Sequence, residues 1–491
     1  MKTVLCLVFL LSIFVAYIQA EKAEPTYRIT SPVEYQIIQR DSNNTAWVEI
    51  QVTTSLPVSK SGLLEYRLDK NKTWEKLSGE WKNQNHLSRL KMPAGGWYGL
   101  EVREGVNPNN YSQVVQFGVG EIFVVAGQSN SGNYGEKKQA TQTGLVSAFD
   151  FEKKNWQLAI DPQPGAGGRG GSIMPLLGDL LVREFEMPIG IIAYGQGGTS
   201  VREWLPQGSR FPNPPTVENK VRKINDGEWE SLGKIYPGFI ERMKAFGKNG
   251  FRAVLWHQGE SDANQKDPTR TLSGPLYEKY LTQLILKTRT DLEWDVPWFV
   301  AQATYHVPGD ESDPNIRAAQ ANLWKNGVAF QGPDTDQLKG KLRERDGQGV
   351  HFSGPGLEAH ADAWFEKVSP WLAQKRNSTK YKFSFGAIAD CQYCSGPNRG
   401  SRHYSSSVGK LKECVTDLNK HDLKFTIHLG DFIDRDYISF DTVVPIYQSL
   451  KMLAYHALGN HDFDVADEYK DKVPERMGMK SKYYEFSVED W

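Results

Sequence analysis

Residues 119–135 read VGEIFVVAGQSNSGNYG, an apolar run that halts at Gly127 and passes into small polar residues. The run is rich in β-branched and aromatic side chains, the composition of a buried strand. Three further stretches share it: MPIGIIAYG at 187–195, FRAVLWHQG at 251–259 and PWFVAQATYH at 297–306. Between them, LLGDLLVREF at 176–185, YPGFIERMKAFGKN at 236–249 and LYEKYLTQLILKTRTDL at 276–292 carry helical spacing. Strands alternating with helices predict a mainly parallel sheet with helices on both faces. Such sheets gather their sites beyond the carboxyl ends of the strands. GQSN, at 127–130, stands at one of those ends.

Outward from this core the texture changes on both sides. Residues 24–118 read as short strands between Asn, Gly, Ser and Pro loops, and Val48, Ile50 and Val52 share one strand face. That spacing predicts an N-terminal β-sandwich. Before it, residues 1–20 carry one lysine, an apolar run and the small Ala20, the pattern of a secretory signal peptide. The protein is therefore expected to be secreted, or at least extracytoplasmic. No later stretch approaches the ~18 consecutive apolar residues of a membrane span, so no stable membrane insertion is expected. On the other side, a helix over LEAHADAWFEKVSPWLAQ, 357–374, closes a central domain of 119–375. A polar linker occupies 376–380, and a second α/β pattern fills 381–491.

Lys and Arg total 58 against 59 Asp and Glu, a formal net charge of −1. No basic excess exists to neutralise a phosphate backbone, so nucleic acid is not an expected partner. Cys391, Cys394 and Cys414 are the cysteines left once the signal segment is removed, and three clustered cysteines make no disulfide framework.

Serine is a weak nucleophile until a neighbouring base takes its proton. The 119–375 region holds four histidines: His257, His306, His351 and His360. His351 lies in the glycine-rich loop RDGQGVHFSGPG, 345–356, from which it can reach across the sheet end to Ser129. His360 falls inside the following helix and reads as structural. Acyl transfer also needs donors aimed at the developing oxyanion. Backbone N–H groups near Ser129, the pair Gly197-Gly198 in AYGQGGTSVREW, and the Gln258 side-chain amide are the candidates.

Taken in order, GQSN, GGTS…W, WHQGES and VHFSGPG resemble the blocks of the SGNH hydrolase superfamily, in the version of its sialate O-acetylesterase and acetylxylan esterase relatives. The resemblance covers about 119–375 and implies an α/β/α, flavodoxin-like hydrolase that removes acetyl groups from sugars without a cofactor. Acetylated carbohydrate is then the expected partner. It implies Ser129 as nucleophile, His351 as base, and Gly197 or Gly198 with Gln258 completing the oxyanion hole. Glu260 and Asp262 would shape the site, and Arg202 or Trp204 could border the substrate. The superfamily places its orienting aspartate three residues before the histidine, where this chain has Gln348; Asp346, five before, is the nearest candidate, and Glu260 is an alternative.

The tail repeats one device three times. IADCQYC, IHLGDFIDR and HALGNHDF are apolar strands ending in metal-type ligands. Oxygen and amide donors at successive strand tips suit Mn²⁺ or a similar divalent ion. The motifs resemble the calcineurin-like metallophosphoesterases, and the Asp-X-Gln start resembles the manganese-dependent ADP-ribose/CDP-alcohol diphosphatases. The resemblance implies Asp390, Gln392, Asp431 and Asn460 as ligands and His461 as the acid that protonates the leaving group. No histidine follows His461, whereas that family draws further ligands from downstream histidines. An incomplete phosphoesterase domain with weak or no activity is therefore expected. A metal-dependent diphosphatase and a non-catalytic sugar-binding protein are the two alternatives to the carbohydrate O-acetylesterase.

Overall fold

The computed structural model describes residues 26–55, 63–69, 72–105, 111–225, 227–377 and 383–488. The expected signal segment 1–20 and most of the 376–380 linker lie outside them. The chain divides into two compact units, one up to Arg376 and one from Asn377.

In the first unit, Tyr27–Ser31, Thr45–Thr54, Asn85–Pro93 and Gly79–Lys82 form an antiparallel sheet. Leu64–Leu68 and Gly95–Glu104 form antiparallel partners in a second sheet. Ile50, Val52, Leu100, Val102, Phe117 and Val119 from the two sheets share one buried cluster. The second sheet does not end there. Strand β1, Val115–Gly127, pairs with Gly95–Glu104 through its first half and enters the central sheet through its second. The expected boundary at 118/119 thus falls inside one continuous strand, because an uninterrupted apolar run can serve two cores in succession.

The central sheet comprises β1, β2 (Val146–Asp150), β3 (Asn155–Leu158), β4 (Ile189–Gly195), β5 (Ala253–His257), β6 (Trp298–Gln302) and β7 (Phe330–Asp334), in the order β3-β2-β4-β1-β5-β6-β7. All pairings are parallel except β2 with β3. Residues alternate between the two faces. Val124, Ala126, Val254 and Trp256 pack with helices Tyr236–Lys244, Gly274–Leu292 and Pro314–Lys325, whereas Phe123, Val125, Ala253 and Leu255 pack with Met174–Phe185 and Gly354–Asn377. Burial on both faces is why these strands read as continuous apolar runs.

Strand β1 is central, with β4 on one side and β5 on the other; the chain leaves β1 toward β2 and leaves β5 toward β6, in opposite directions. In such sheets the carboxyl end at that reversal is where ligands bind. The register puts Gly195 and His257 both level with Gly127. Gly127 has φ +128°, and a Cβ there would lie 2.1 Å from the His257 carbonyl oxygen. Glycine is required for this close approach.

The second unit holds a parallel sheet of β8 (Gly386–Ile388), β9 (Phe425–Leu429) and β10 (Leu453–Ala457), in that order. Helices Tyr404–Leu418 and Phe440–Tyr447 supply its core with Leu411, Val415, Val443 and Val444.

Candidate active site and candidate metal centre

Because three strand tips are level at Gly127, the segments that follow them, Gln128–Asn130, Gln196–Gly198 and Gln258–Glu260, emerge side by side. Gln128 N–H donates to the His257 carbonyl (2.9 Å) and Gln196 N–H to the Gly127 carbonyl (2.8 Å), carrying the ladder one step past the sheet. Ser129 opens a single 3₁₀ turn, Ser129–Ser131, and is 6% exposed. Gly198 has φ +71°. Among the described residues, neither the Ser129 nor the Gly198 N–H meets a backbone acceptor.

His351 is carried on a hairpin, 343–352, whose Val350 carbonyl meets Asn130, the residue after Ser129. Arg343 bridges to Phe352, and Glu344 N–H donates to the His351 carbonyl (2.8 Å). This pairing sets Glu344 directly opposite His351, and His351 Nδ1 donates to Glu344 Oε1 at 2.9 Å. A carboxylate only accepts, so the imidazole proton sits on Nδ1 and Nε2 keeps its lone pair. Two bonds tie this hairpin to the serine turn and the core. Asn130 Nδ2 donates to the Val350 carbonyl (3.3 Å), and Arg343, fully buried, donates to the same carbonyl (2.7 Å). Arg343 also donates to the Leu338 and Thr335 carbonyls and stacks on Tyr305 and Phe352. Burial brings its guanidinium down to about 10, and it stays a cation at neutral pH.

Several expected roles are corrected by this geometry. Asp346 does not orient His351: it sits exposed at φ +53°, and the turn it helps to make delivers Glu344 instead. Glu260 does not either, since its Oε1 accepts from Asn130 Nδ2 (2.9 Å) and faces His257 Nε2 (3.0 Å). Burial pushes the Glu260 carboxyl up, but the charge and hydrogen bond of His257 and the Asn130 amide outweigh it and hold the group below its ordinary value. Gln258 is no oxyanion donor. Its Nε2 hydrogens go to Asp262 Oδ2 (2.7 Å) and the Thr199 carbonyl (3.1 Å). Arg202 and Trp204 do not border a substrate, both being 0% exposed. Arg202 pairs with Asp262 and donates to the Asn213, Pro214 and Arg270 carbonyls, while Trp204 packs on Trp256. Asp262 accepts from Ser200 Oγ and Val201 N–H. These four residues brace the Gly197–Gly198 loop from behind. His360 is structural, as expected: it accepts from Trp364 Nε1 (3.0 Å), and burial drives its imidazole well below the ordinary range.

Residues 119–359 match the family model for carbohydrate esterase, sialic acid-specific acetylesterase. These residues are a carbohydrate esterase domain. The enzyme class that follows is carboxylic ester hydrolase. The match spans all three strand-tip segments and the His351 hairpin. Residues 383–490 match calcineurin-like phosphoesterase. The chain is also similar to the manganese-dependent ADP-ribose/CDP-alcohol diphosphatases of Oryza sativa subsp. japonica (35% identical over 91 residues, 16% of this chain and 28% of that protein) and Xenopus laevis (30% over 113 residues, 20% and 32%). The chain spans about a third or less of the length of these curated relatives. Among solved structures it is similar to a novel carbohydrate acetylesterase from Xanthomonas citri, at 16% identity and TM-score 0.43, over 73% of this chain and 76% of that one.

In the second unit, Asp390, Gln392 and Asp431 converge at the tips of β8 and β9. Gln392 Nε2 lies 3.4 Å from both Asp390 Oδ1 and Asp431 Oδ2. All three residues have positive φ, at 54°, 42° and 55°, and such strained backbone clusters at functional sites. His461 N–H donates to Asp431 Oδ1 (3.1 Å), while its Nδ1 faces Asp434. Asn460 is exposed beside it. Among the described residues no group of three or more His, Cys, Asp or Glu is placed to hold a metal. Two carboxylates and a side-chain amide suit one hard divalent ion with water completing its shell, and Asp390, Gln392 and Asp431 are the residues that would hold it. The sequence reading missed Asp462. Buried, with its carboxyl pushed up by that burial, it accepts from the N–H groups of Asp431, Phe432, Ile433 and Gly459 and pins the second and third tips together.

Proposed function

We propose that the protein is an exported carbohydrate O-acetylesterase that hydrolyses acetyl esters on sialic acid or an acetylated polysaccharide through Ser129. The observation that supports this reading most is the His351–Glu344 pair, tied through the Val350 carbonyl to Asn130, the residue next to Ser129. In this reading Glu344 keeps the His351 proton on Nδ1, and Nε2 takes the Ser129 hydroxyl proton as Oγ attacks the acetyl carbon. The N–H groups of Ser129 and Gly198 receive the oxyanion. When the intermediate collapses, the bond to the sugar oxygen breaks and that oxygen takes the proton from Nε2. Acetyl-Ser129 remains. Water then attacks it, yielding a proton to Nε2, and acetate leaves as Ser129 regains its hydroxyl. No metal or cofactor enters these steps. Residues 1–20 act as the export signal, and 24–118 form a β-sandwich joined to the esterase domain. Acetate release from acetylated sialic acids and xylans tests the reading, with Ser129→Ala as the control. Wild-type release by that variant would sink it.

A second reading concerns the tail alone: residues 381–491 act as a divalent-metal phosphoesterase domain on nucleotide diphosphate esters. The convergence of Asp390, Gln392 and Asp431 and the diphosphatase relatives favour it. Such an ion, when bound, would polarise a phosphoryl oxygen and activate water. Titration calorimetry of the full chain with Mn²⁺ is expected to show binding that Asp431→Asn weakens at least about ten-fold, since the carboxylate carries the charge. Equal heats from both proteins would remove the reading.

A further inference from the structure

Tyr134 occupies a place that none of the roles above explains. Its ring stacks on His351, with centroids 5.3 Å apart and planes inclined by 29°. Its far end sits where Gly197 would carry a side chain: a Cβ there would lie 2.2 Å from the phenol oxygen and 2.5 Å from Cζ. A Cβ on Gly167 would lie 3.0 Å from the same oxygen. Gly197 is not in the left-handed region, so it is room for Tyr134, not backbone freedom, that glycine supplies. The segment carrying Tyr134 is itself fixed. Asn133 Nδ2 donates to the Gln163 and Ala166 carbonyls (3.0 and 3.1 Å), and Gly135 exchanges backbone bonds with Gly171 (2.9 and 2.7 Å). One rigid aromatic residue therefore spans from the base to the loop that carries Gly198.

We propose that Tyr134 is a positioning residue for ester hydrolysis: its ring face holds the His351 imidazole toward Ser129 and stabilises the imidazolium formed when His351 carries the proton. The inference rests on the reading above that His351 is the base. An aromatic face attracts a cation through its quadrupole, whereas neutral imidazole gains only packing. The charged groups around His351 are Glu344 on Nδ1, Arg345 beside Glu344, Arg343 stacked on Phe352, Glu136, whose N–H donates to the Phe352 carbonyl, and Glu260 behind Asn130. Substitution at 134 leaves all of them in the chain, so a change in the histidine's titration reports the ring.

The experiment compares Tyr134→Leu, Tyr134→Phe and Tyr134→Trp with the wild-type full chain in kcat, KM and the pH profile of kcat/KM. Tyr134→Leu is expected to lower kcat about ten-fold with KM within about two-fold, a transition-state loss. Its acid limb is expected to move down by about half a pH unit as the imidazolium loses the ring. Tyr134→Phe keeps the limb in place, and Tyr134→Trp, with the stronger face, moves it upward. A Leu variant with wild-type kcat and an unmoved limb overturns the proposal, as do equal losses in the Leu and Phe variants with an unmoved limb. Should Tyr134→Leu not fold, the Trp and Phe limbs decide: coincidence overturns it. Ser129→Ala in the same assay separates the two claims, since its retention of activity would defeat the nucleophile and not Tyr134 specifically.

Discussion

Replacing Glu344 with glutamine probes the histidine's support with almost no change in shape. Glu344 Oε1 lies 2.9 Å from His351 Nδ1, and its side chain is 19% exposed. A glutamine can present either its oxygen or its NH₂ to that nitrogen. With NH₂ facing, the imidazole proton moves to Nε2 and the base can no longer accept from Ser129. With the oxygen facing, the tautomer survives but the imidazolium loses its counter-charge. Loss of the third member of a Ser-His-Asp triad costs about 10⁴ in kcat where the wrong tautomer is enforced. Because this amide can turn and the site is partly wetted, a smaller drop of about 10²–10³ is expected, or roughly 3–4 kcal/mol at about 1.4 kcal/mol per decade. Asp346→Asn, exposed and away from the imidazole, is expected to stay within about two-fold, since surface substitutions outside special features have small effects. The assay is steady-state acetate release, with thermal unfolding to confirm that both variants fold. Near-wild-type turnover by Glu344→Gln together with a collapse in Asp346→Asn would refute the reasoning.

Two further outcomes follow from buried charge. Burial pushes the Glu203 carboxyl up to about 7, partly offset by the Ser200 N–H. A raised carboxyl gives stability that is fully present below the unfolded value, near 4.5, and is lost as pH rises through about 7, a swing of roughly 3 kcal/mol. Glu203→Gln is therefore expected to stabilise the protein at pH 8 but not at pH 4, as read by urea unfolding; equal effects at both pH values would contradict this. Arg343→Lys keeps the charge but cannot reach three carbonyls and stack on two rings at once. It is expected to cost about 2–3 kcal/mol, the penalty for buried acceptors left unmade, and to lower kcat because the His351 hairpin loosens. Calorimetric unfolding and acetate release check the two halves.

Much of this site was legible in the sequence, for reasons that can be named. Val124 and its neighbours form an unbroken apolar run because helices cover both sheet faces, so the parallel sheet and the location of Ser129 at a strand end follow from pattern alone. His351 was legible because a histidine in a glycine-rich loop before the last helix must emerge near that end. Glu344 was not. A fixed spacing of three residues points to Gln348 and then to Asp346, whereas the cross-strand pairing of Arg343 with Phe352 places a residue seven positions away against the imidazole. The signal that locates it is the pairing of 343–344 with 351–352 across the six-residue connection 345–350. Their motifs imply Gln258 in the oxyanion hole and Arg202 or Trp204 beside the substrate, but motif membership does not say which way a side chain turns. Here all three turn inward and their polar atoms are consumed by Asp262, Thr199 and backbone carbonyls. In the second unit the tip carrying Asp390 is legible from Asp-X-Gln and the tip carrying Asp431 from Gly-Asp, and the pinning role of Asp462 is not, since a buried acceptor of four N–H groups leaves no mark distinct from a ligand.

The central claim is that Ser129 carries the acetyl group during turnover. Rapid-quench mass spectrometry of the full chain mixed with an acetylated sugar tests it directly. The account predicts an acetylated peptide containing Ser129 that forms before steady state, decays as substrate is exhausted, and does not form in Ser129→Ala. Steady acetate release with no acetyl group ever found on Ser129 would contradict it.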